Sequence, residues 1–313
     1  MATLSLYLFV AGGLALAFAF ACHVAYTTIL AQSGMAIARR ALTPAGAAIG
    51  GGSATMTLGP SSASGASRPE SMPGTKSGAF AISSTWVAAV LIGTSMLLRA
   101  VIVGRGPWGN MYEFSVAFAF GITAGYLFLQ RRYPIRSLGF LPLGVAAFLV
   151  AYAGTLPHEI EPLVPALDNA PLLTVHVAMA MISYGIFATA FGAAVAYLAQ
   201  GPHDRFAWLP SHRTLDEVAY RAVIIGFPIF ATMIILGSWW ASIAWGRYWG
   251  WDPKETAALV TWLIYAVYLH ARNARGWAGR PAAMILVIGF AAVLFTYFGN
   301  LYFSGLHAYS GLD

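Results

Sequence analysis

Apolar residues fall in eight long runs along the chain, at about 4–30, 81–103, 112–130, 137–155, 173–199, 219–242, 254–271 and 281–303. A helix needs roughly 20 apolar residues to cross the hydrocarbon core of a bilayer. The pattern therefore predicts an all-α polytopic membrane helical bundle of about eight transmembrane helices. The first run is too long for a signal peptide, lacks a basic start and is followed by Arg39 and Arg40, so it reads as a true span. Three sequences mark helix starts as capping boxes: Asn110 to Glu113 before span three, Thr214 to Glu217 before span six, and Asp252 to Glu255 before span seven, the last with Pro253 at the first helical position.

Between the first two runs, residues 41–79 are rich in Gly, Ser, Ala and Pro. Such a segment cannot bury a core and reads as a flexible cytoplasmic linker. The chain thus divides into a first transmembrane helix (1–40), the linker (41–79) and a seven-helix membrane domain (80–313), with a tryptophan-rich loop at 238–256.

Composition agrees with this picture. Of the 313 residues, 59% are hydrophobic and only 9% charged, against about a quarter charged in a soluble domain. So little charge excludes a soluble enzyme or a nucleic-acid-binding domain, despite the formal net charge of +6. The basic residues sit instead between apolar runs: 13 of the 17 follow spans one, three, five and seven. The positive-inside rule makes that side cytoplasmic and both termini external. The loop at 156–172, with Glu159, Glu161 and Asp168, is then external. The single cysteine, Cys22, lies inside an apolar run, so the chain has no disulfide framework, CxxC pair or cysteine metal site of its own.

The densest chemical feature is the segment SWWASIAWGRYWGWDPKET at 238–256. It holds half of the ten tryptophans, an accumulation beyond the few anchors an interfacial belt needs. Trp239 and Trp240, at the end of span six, fit either a belt or a ligand wall. Trp245, Trp249 and Trp251, interrupted by Gly246 and Gly250, suit a surface for a large planar apolar ligand such as a porphyrin or a quinone. Arg247 and Lys254 flank it and could pair with such a ligand's carboxylates. Asp252 and Glu255 read chiefly as the cap of span seven, and Asp252 also stands with Trp245, Trp249, Trp251, Arg247 and Lys254 among the candidate ligand-binding residues.

Seven histidines complete the inventory. His203, His212 and His158 fall in loops and read as surface. His23, inside span one, is open to either a functional role or a hydrogen bond between helices. His176 sits at the outer end of span five and His307 just past the outer end of span eight, so both flank the face that carries the tryptophans. His270 lies near the cytoplasmic end of span seven. Two axial imidazoles on one iron lie about 4 Å apart, from metal–nitrogen bonds of about 2 Å. His270 and His307 bracket a crossing of about 30 Å and cannot share an iron.

At WGRYWGWDPKET, with its flanking histidines, and from PWGNMYEF (107–114) to the end, the chain resembles the CcsA-type (ResC-type) haem-handling membrane proteins of system II cytochrome c biogenesis, marked by their WWD domain. The resemblance implies that His176 and His307 are axial ligands of haem at the outer surface, and that His270 belongs to a transmembrane haem site reached from the cytoplasm. It implies haem b as substrate or cofactor, apocytochrome c as acceptor and a ResB/CcsB-type membrane partner, in a bacterial plasma membrane or thylakoid-type membrane. The chain would be the haem-presenting subunit of a cytochrome c synthase (haem lyase), with no catalytic residue beyond the haem ligands. Span one matches weakly, and His23 inherits no role. A haem exporter without synthase activity, a quinone-reactive b-type electron-transfer subunit and a transporter of another flat molecule stand as alternatives.

Overall fold

The computed structural model describes residues 1–42, 75–160, 170–201, 203–298, 302–303 and 305–307. Among these the chain forms eight α-helices: α1 (Ala2–Leu42), α2 (Thr75–Val103), α3 (Met111–Gln130), α4 (Phe140–Ala153), α5 (Ala170–Gln200), α6 (His212–Trp245), α7 (Pro253–Ala274) and α8 (Arg280–Phe298), with a one-turn 3-10 helix at Arg136–Leu138 leading into α4. Seven of these segments are long and apolar enough to cross a membrane. The exception, α7, has Lys254 and Glu255 in its first turn and Arg272 in its last. Its 22 residues still rise about 33 Å, enough for a crossing. The chain is an all-α integral membrane protein.

Most of the segment 41–79 lies outside the described residues, but its ends are helical: α1 runs to Leu42 and α2 begins at Thr75. Glu161 and Asp168 also lie outside the described residues.

Helix α5 is the hub, packing on α3, α4, α6 and α8, while α1 and α2 pair with each other and lean on α3 and α4. Glycines permit the closest of these contacts. A Cβ on Gly125 would lie 2.8 Å from the carbonyl carbon of Gly185, and one on Gly185 would run into the backbone of Gly121. Small residues facing each other let helix backbones touch, which is how helices associate where lipid removes the hydrophobic drive. The closeness of α3 and α5 sets the height at which α5 presents its first two turns.

Helix starts follow the sequence in two of three cases. Asn110 Oδ1 accepts from the Glu113 backbone N–H at 2.9 Å. Asp252 forms a full capping box with Glu255, with Pro253 as the first helical residue. For α6 the expected box at Thr214 is displaced. The helix begins a turn earlier, capped by Ser211, whose Oγ accepts from Thr214 N at 3.3 Å. Ser211 is an equally good cap. Glu217 is thereby left inside the helix and pairs with Arg221 at 2.7 Å.

The N-terminal end of α1 and the end of α8 lie at the same end of the bundle. Ser5 Oγ donates to Ser95 O at 3.0 Å, one turn from Arg99, which pairs with Glu113 at 2.6 Å at the start of α3. Arg131, Arg136, Arg205, Arg213, Arg272, Arg275 and Arg280 all sit at helix ends or connections on the opposite end.

Candidate functional site

At the end of the bundle that carries the N-termini of α3, α5 and α7, a cavity opens between the helices. Its walls come from the start of α3 and the residues before it, the first half of α5, the last third of α6, the first turn of α7 and the segment after α8. His176 and His307 both line it, with Trp240, Trp245 and Trp249.

His176 projects from α5 against α6. Its Nδ1 lies 2.8 Å from the carbonyl oxygen of Met233. A carbonyl only accepts, so Nδ1 carries the proton and donates, and Nε2 holds the lone pair. This approach needs Gly237, where a Cβ would stand 2.6 Å from His176 Cε1. The imidazole lies nearly parallel to the Trp240 indole, with centroids 6.5 Å apart and planes 12° off.

His307 arrives from the chain beyond α8. Its Nδ1 is 2.7 Å from Asp252 Oδ2. Burial pushes the imidazole below its ordinary pKa, against the pull of Asp252. Burial pushes the Asp252 carboxyl up, but the hydrogen bonds from His307, Lys254 N and Leu306 N outweigh it and hold that carboxyl below its ordinary value. The carboxylate accepts, so His307 donates through Nδ1–H. His307 packs edge-on to Trp245 at 4.9 Å and lies 5.9 Å from Trp240. One indole, Trp240, thus neighbours both imidazoles.

The loop between α6 and α7 is folded by its glycines and by Glu255. Gly246 takes the left-handed conformation that ends α6, at φ 70°. Glu255 Oε2 accepts from Gly250 N at 2.8 Å and Asp252 N at 3.2 Å. Trp251 is itself left-handed, at φ 57°, a conformation that costs a bulky residue about 1–3 kcal/mol. That turn directs Trp251 outward and Asp252 inward.

The sequence-predicted residues divide accordingly. Trp245, Trp249, Lys254 and the two histidines line the cavity. Lys254 Nζ stands 4.9 Å from the centroid of the Phe114 ring. Asp252 is buried and reaches the cavity through His307. Trp251 is 69% exposed and meets Trp249 edge-on at 5.9 Å, away from the cavity. Arg247 is exposed and folds back over Gly250, so it stands on the outside of the loop. The expected broad aromatic surface is instead the wall of a partly open cleft, because α6 continues to Trp245 and carries Trp240 into the bundle.

Other histidines separate from the site. His270 lies at the far end of α7 and is exposed. From Asp252 it is 18 residues along the helix, roughly 27 Å at 1.5 Å per residue. His23 is fully buried, with Nδ1 3.1 Å from Arg136 O and Nε2 3.2 Å from Thr85 Oγ1. Both of its ring nitrogens are committed to neighbouring helices, so it is a structural histidine. His212 is the first residue of α6 rather than part of the preceding loop, and it pairs with Asp204 at 3.0 Å.

Two wall features, Trp108 and the Glu113 cluster, escape the sequence, and a third, Trp240, is left there between belt and ligand wall. Trp240 is 2% exposed and central to the cavity, whereas Trp239 beside it is 55% exposed. Trp108 lines the cavity, and its Nε1 is buried without a hydrogen-bond partner among the described residues. Glu113 anchors that wall. Its carboxylate accepts from Arg99 Nε at 2.6 Å, Gly109 N at 2.6 Å and Arg105 Nη1 at 3.2 Å. Arg99 Nη2 also donates to Glu159 O at 3.2 Å, which ties in the connection after α4. The only sequence signal was the capping pattern at Asn110, which does not reveal the two arginines.

Residues 108–307, from the wall tryptophan to the second histidine, match the family model described as cytochrome c assembly protein. The cytochrome c biogenesis protein CcsA of Guillardia theta is 33% identical over 257 residues, covering 74% of this chain and 85% of the relative. Its counterpart in Synechococcus elongatus is 35% identical over 264 residues, covering 67% and 81%. That of Chlamydomonas reinhardtii is 35% identical over 251 residues, covering 73% and 69%. With this match spanning the whole cavity wall, the chain belongs to the cytochrome c assembly protein family, as a CcsA-type protein of cytochrome c biogenesis.

Proposed function

We propose that this chain takes haem b across the membrane and presents it at the cavity for covalent attachment to the CxxCH cysteines of apocytochrome c, as the haem-presenting subunit of a cytochrome c synthase. The observation that carries this reading is the pairing of His176 and His307 on one aromatic cavity, each anchored to the protein through Nδ1. A metal-bound histidine has its other ring nitrogen fixed in this way. Two imidazoles suffice for iron already held by a porphyrin. The tryptophan walls suit the porphyrin faces, and the Lys254 ammonium suits a propionate. Arg247 and Trp251 contribute at the rim alone.

The reaction is an addition. Each cysteine S–H adds across a haem vinyl group, sulfur bonding to the carbon next to the ring and the proton going to the terminal carbon, with no net oxidation. The sulfurs come from the substrate, since the single thiol, Cys22, belongs to α1. The chain's own work is to hold and orient. In this reading His270 contributes to a second, transmembrane haem site. Its exposure on the bundle surface supports completion of that site by another chain, a ResB/CcsB-type partner. The grouping of arginines at the opposite end of the bundle supports an external cavity and a cytoplasmic His270 end.

The test is reconstitution in a host lacking its own maturation proteins. Co-expression of this chain, its partner and an apocytochrome c is expected to yield thioether-linked cytochrome. Haem outside the membrane without any thioether product would overturn the synthase reading in favour of an exporter.

A further inference from the structure

The two imidazoles at the cavity are not equivalent. His176 donates to a neutral backbone carbonyl, Met233 O, at 2.8 Å. His307 donates to a buried carboxylate, Asp252 Oδ2, at 2.7 Å. That carboxylate is held from three sides: Leu306 N at 2.5 Å on Oδ1, Lys254 N at 3.1 Å on Oδ2, and the first turn of α7, whose dipole favours negative charge. Gly305 lets the chain pass over it, since a Cβ there would collide with Oδ1. The aspartate thus has more to do than cap a helix. It joins the end of the tryptophan loop, the start of α7 and the segment that carries His307.

We infer that Asp252 is the positioning residue that makes His307 the stronger of the two iron ligands and lowers the potential of the iron bound there. The inference rests on the haem reading above. A hydrogen bond to an ionised acceptor is roughly twice as strong as one to a neutral acceptor. A carboxylate on the far nitrogen orients the ring and raises ligand basicity. Electron density pushed toward iron favours its oxidised state, so the carboxylate holds the potential down. His176, on a carbonyl, receives less of this push.

Asp252→Asn separates the cap from the charge. Asparagine caps helices as well as aspartate; its amide oxygen in the Oδ2 position still accepts from His307 and Lys254 N, its amide nitrogen gives up the Leu306 N bond, and the negative charge is gone. The measurement uses the full-length protein purified with its membrane partner, loaded with haem. Asp252→Asn is expected to keep a two-imidazole absorption spectrum, move the midpoint potential to a more positive value and weaken haem binding by about 10- to 100-fold. Asp252→Ser, which keeps a cap but is too short to hold His307, is expected to lose more. In the haem-free protein, ¹⁵N-resolved NMR is expected to place the His307 Nδ1 proton further downfield in the parent than in Asp252→Asn. An unchanged midpoint potential in Asp252→Asn that still binds haem would overturn the inference while leaving the haem reading intact. An unchanged His307 resonance would do the same if Asp252→Asn failed to retain haem. Absence of haem from the parent protein would overturn both.

Discussion

The Trp240 indole lies 6.5 Å from the His176 imidazole and nearly parallel to it, at 12°, and is almost wholly buried. It also meets Trp245 edge-on at 4.6 Å. Trp240 is therefore the shared wall of the cavity. Trp240→Ala is expected to abolish stable haem binding, since emptying a buried Trp site costs about 3–5 kcal/mol. Trp239→Ala and Trp251→Ala, at exposed positions, are expected to leave haem content within twofold of the parent. Haem-to-protein ratios of the three purified variants check the contrast.

The Glu113 carboxylate, 2% exposed, holds two arginines, one of them buried, and the backbone next to Trp108. Glu113→Gln leaves two guanidinium groups facing each other with no counter-charge. Breaking a buried ion pair from one side costs about 3–5 kcal/mol. The variant is expected to melt well below the parent in detergent and to lose haem with the displaced wall. A melting temperature equal to the parent's would show that the cluster is not structural.

Gly185 is the closest point of the α3–α5 contact, where the colliding atoms are backbone of Gly121 and cannot move aside. Gly185→Leu is expected to prevent accumulation of folded protein, since overpacking typically costs about 1–3 kcal/mol and more where backbone must shift. Gly154→Ala, whose Cβ would meet an ordinary 3.4 Å contact, is expected to be silent. Membrane-fraction yield of the two variants is the readout.

His23 bridges α1 to Arg136 O and to Thr85. Its removal leaves buried polar groups unpaired, a loss of about 1–3 kcal/mol. His23→Ala is expected to lower the melting temperature yet keep the parent's haem spectrum. A changed iron spectrum would make His23 a ligand after all.

Much of the fold was legible because membrane helices announce themselves by length and apolarity. All eight were found, and Asp252 with Pro253 fixed the start of α7. The start of α6 was misread because Ser211 and Thr214 are chemically similar caps three residues apart, and only backbone geometry chooses between them. In the site, His176 and His307 stood out as imidazoles beside tryptophans. Trp240 and Trp239 carry the same local signal, and helical phase decides which one faces inward. Arg247 looked like a ligand for carboxylates, but its neighbouring Gly250 leaves room for the side chain to fold back. The contact of Asp252 with His307 spans 55 residues, and nothing in either local sequence points to the other.

His176 and His307 are proposed to bind haem iron together. The decisive measurement is the dithionite-reduced absorption spectrum of the protein purified with its partner, compared with those of His176→Ala and His307→Ala. The parent is expected to show a two-imidazole haem band. Each variant is expected to lose that band in proportion to haem lost from the cavity, and to recover part of it when free imidazole is added. A band of full intensity and unchanged position in both variants would show that these histidines do not hold the iron.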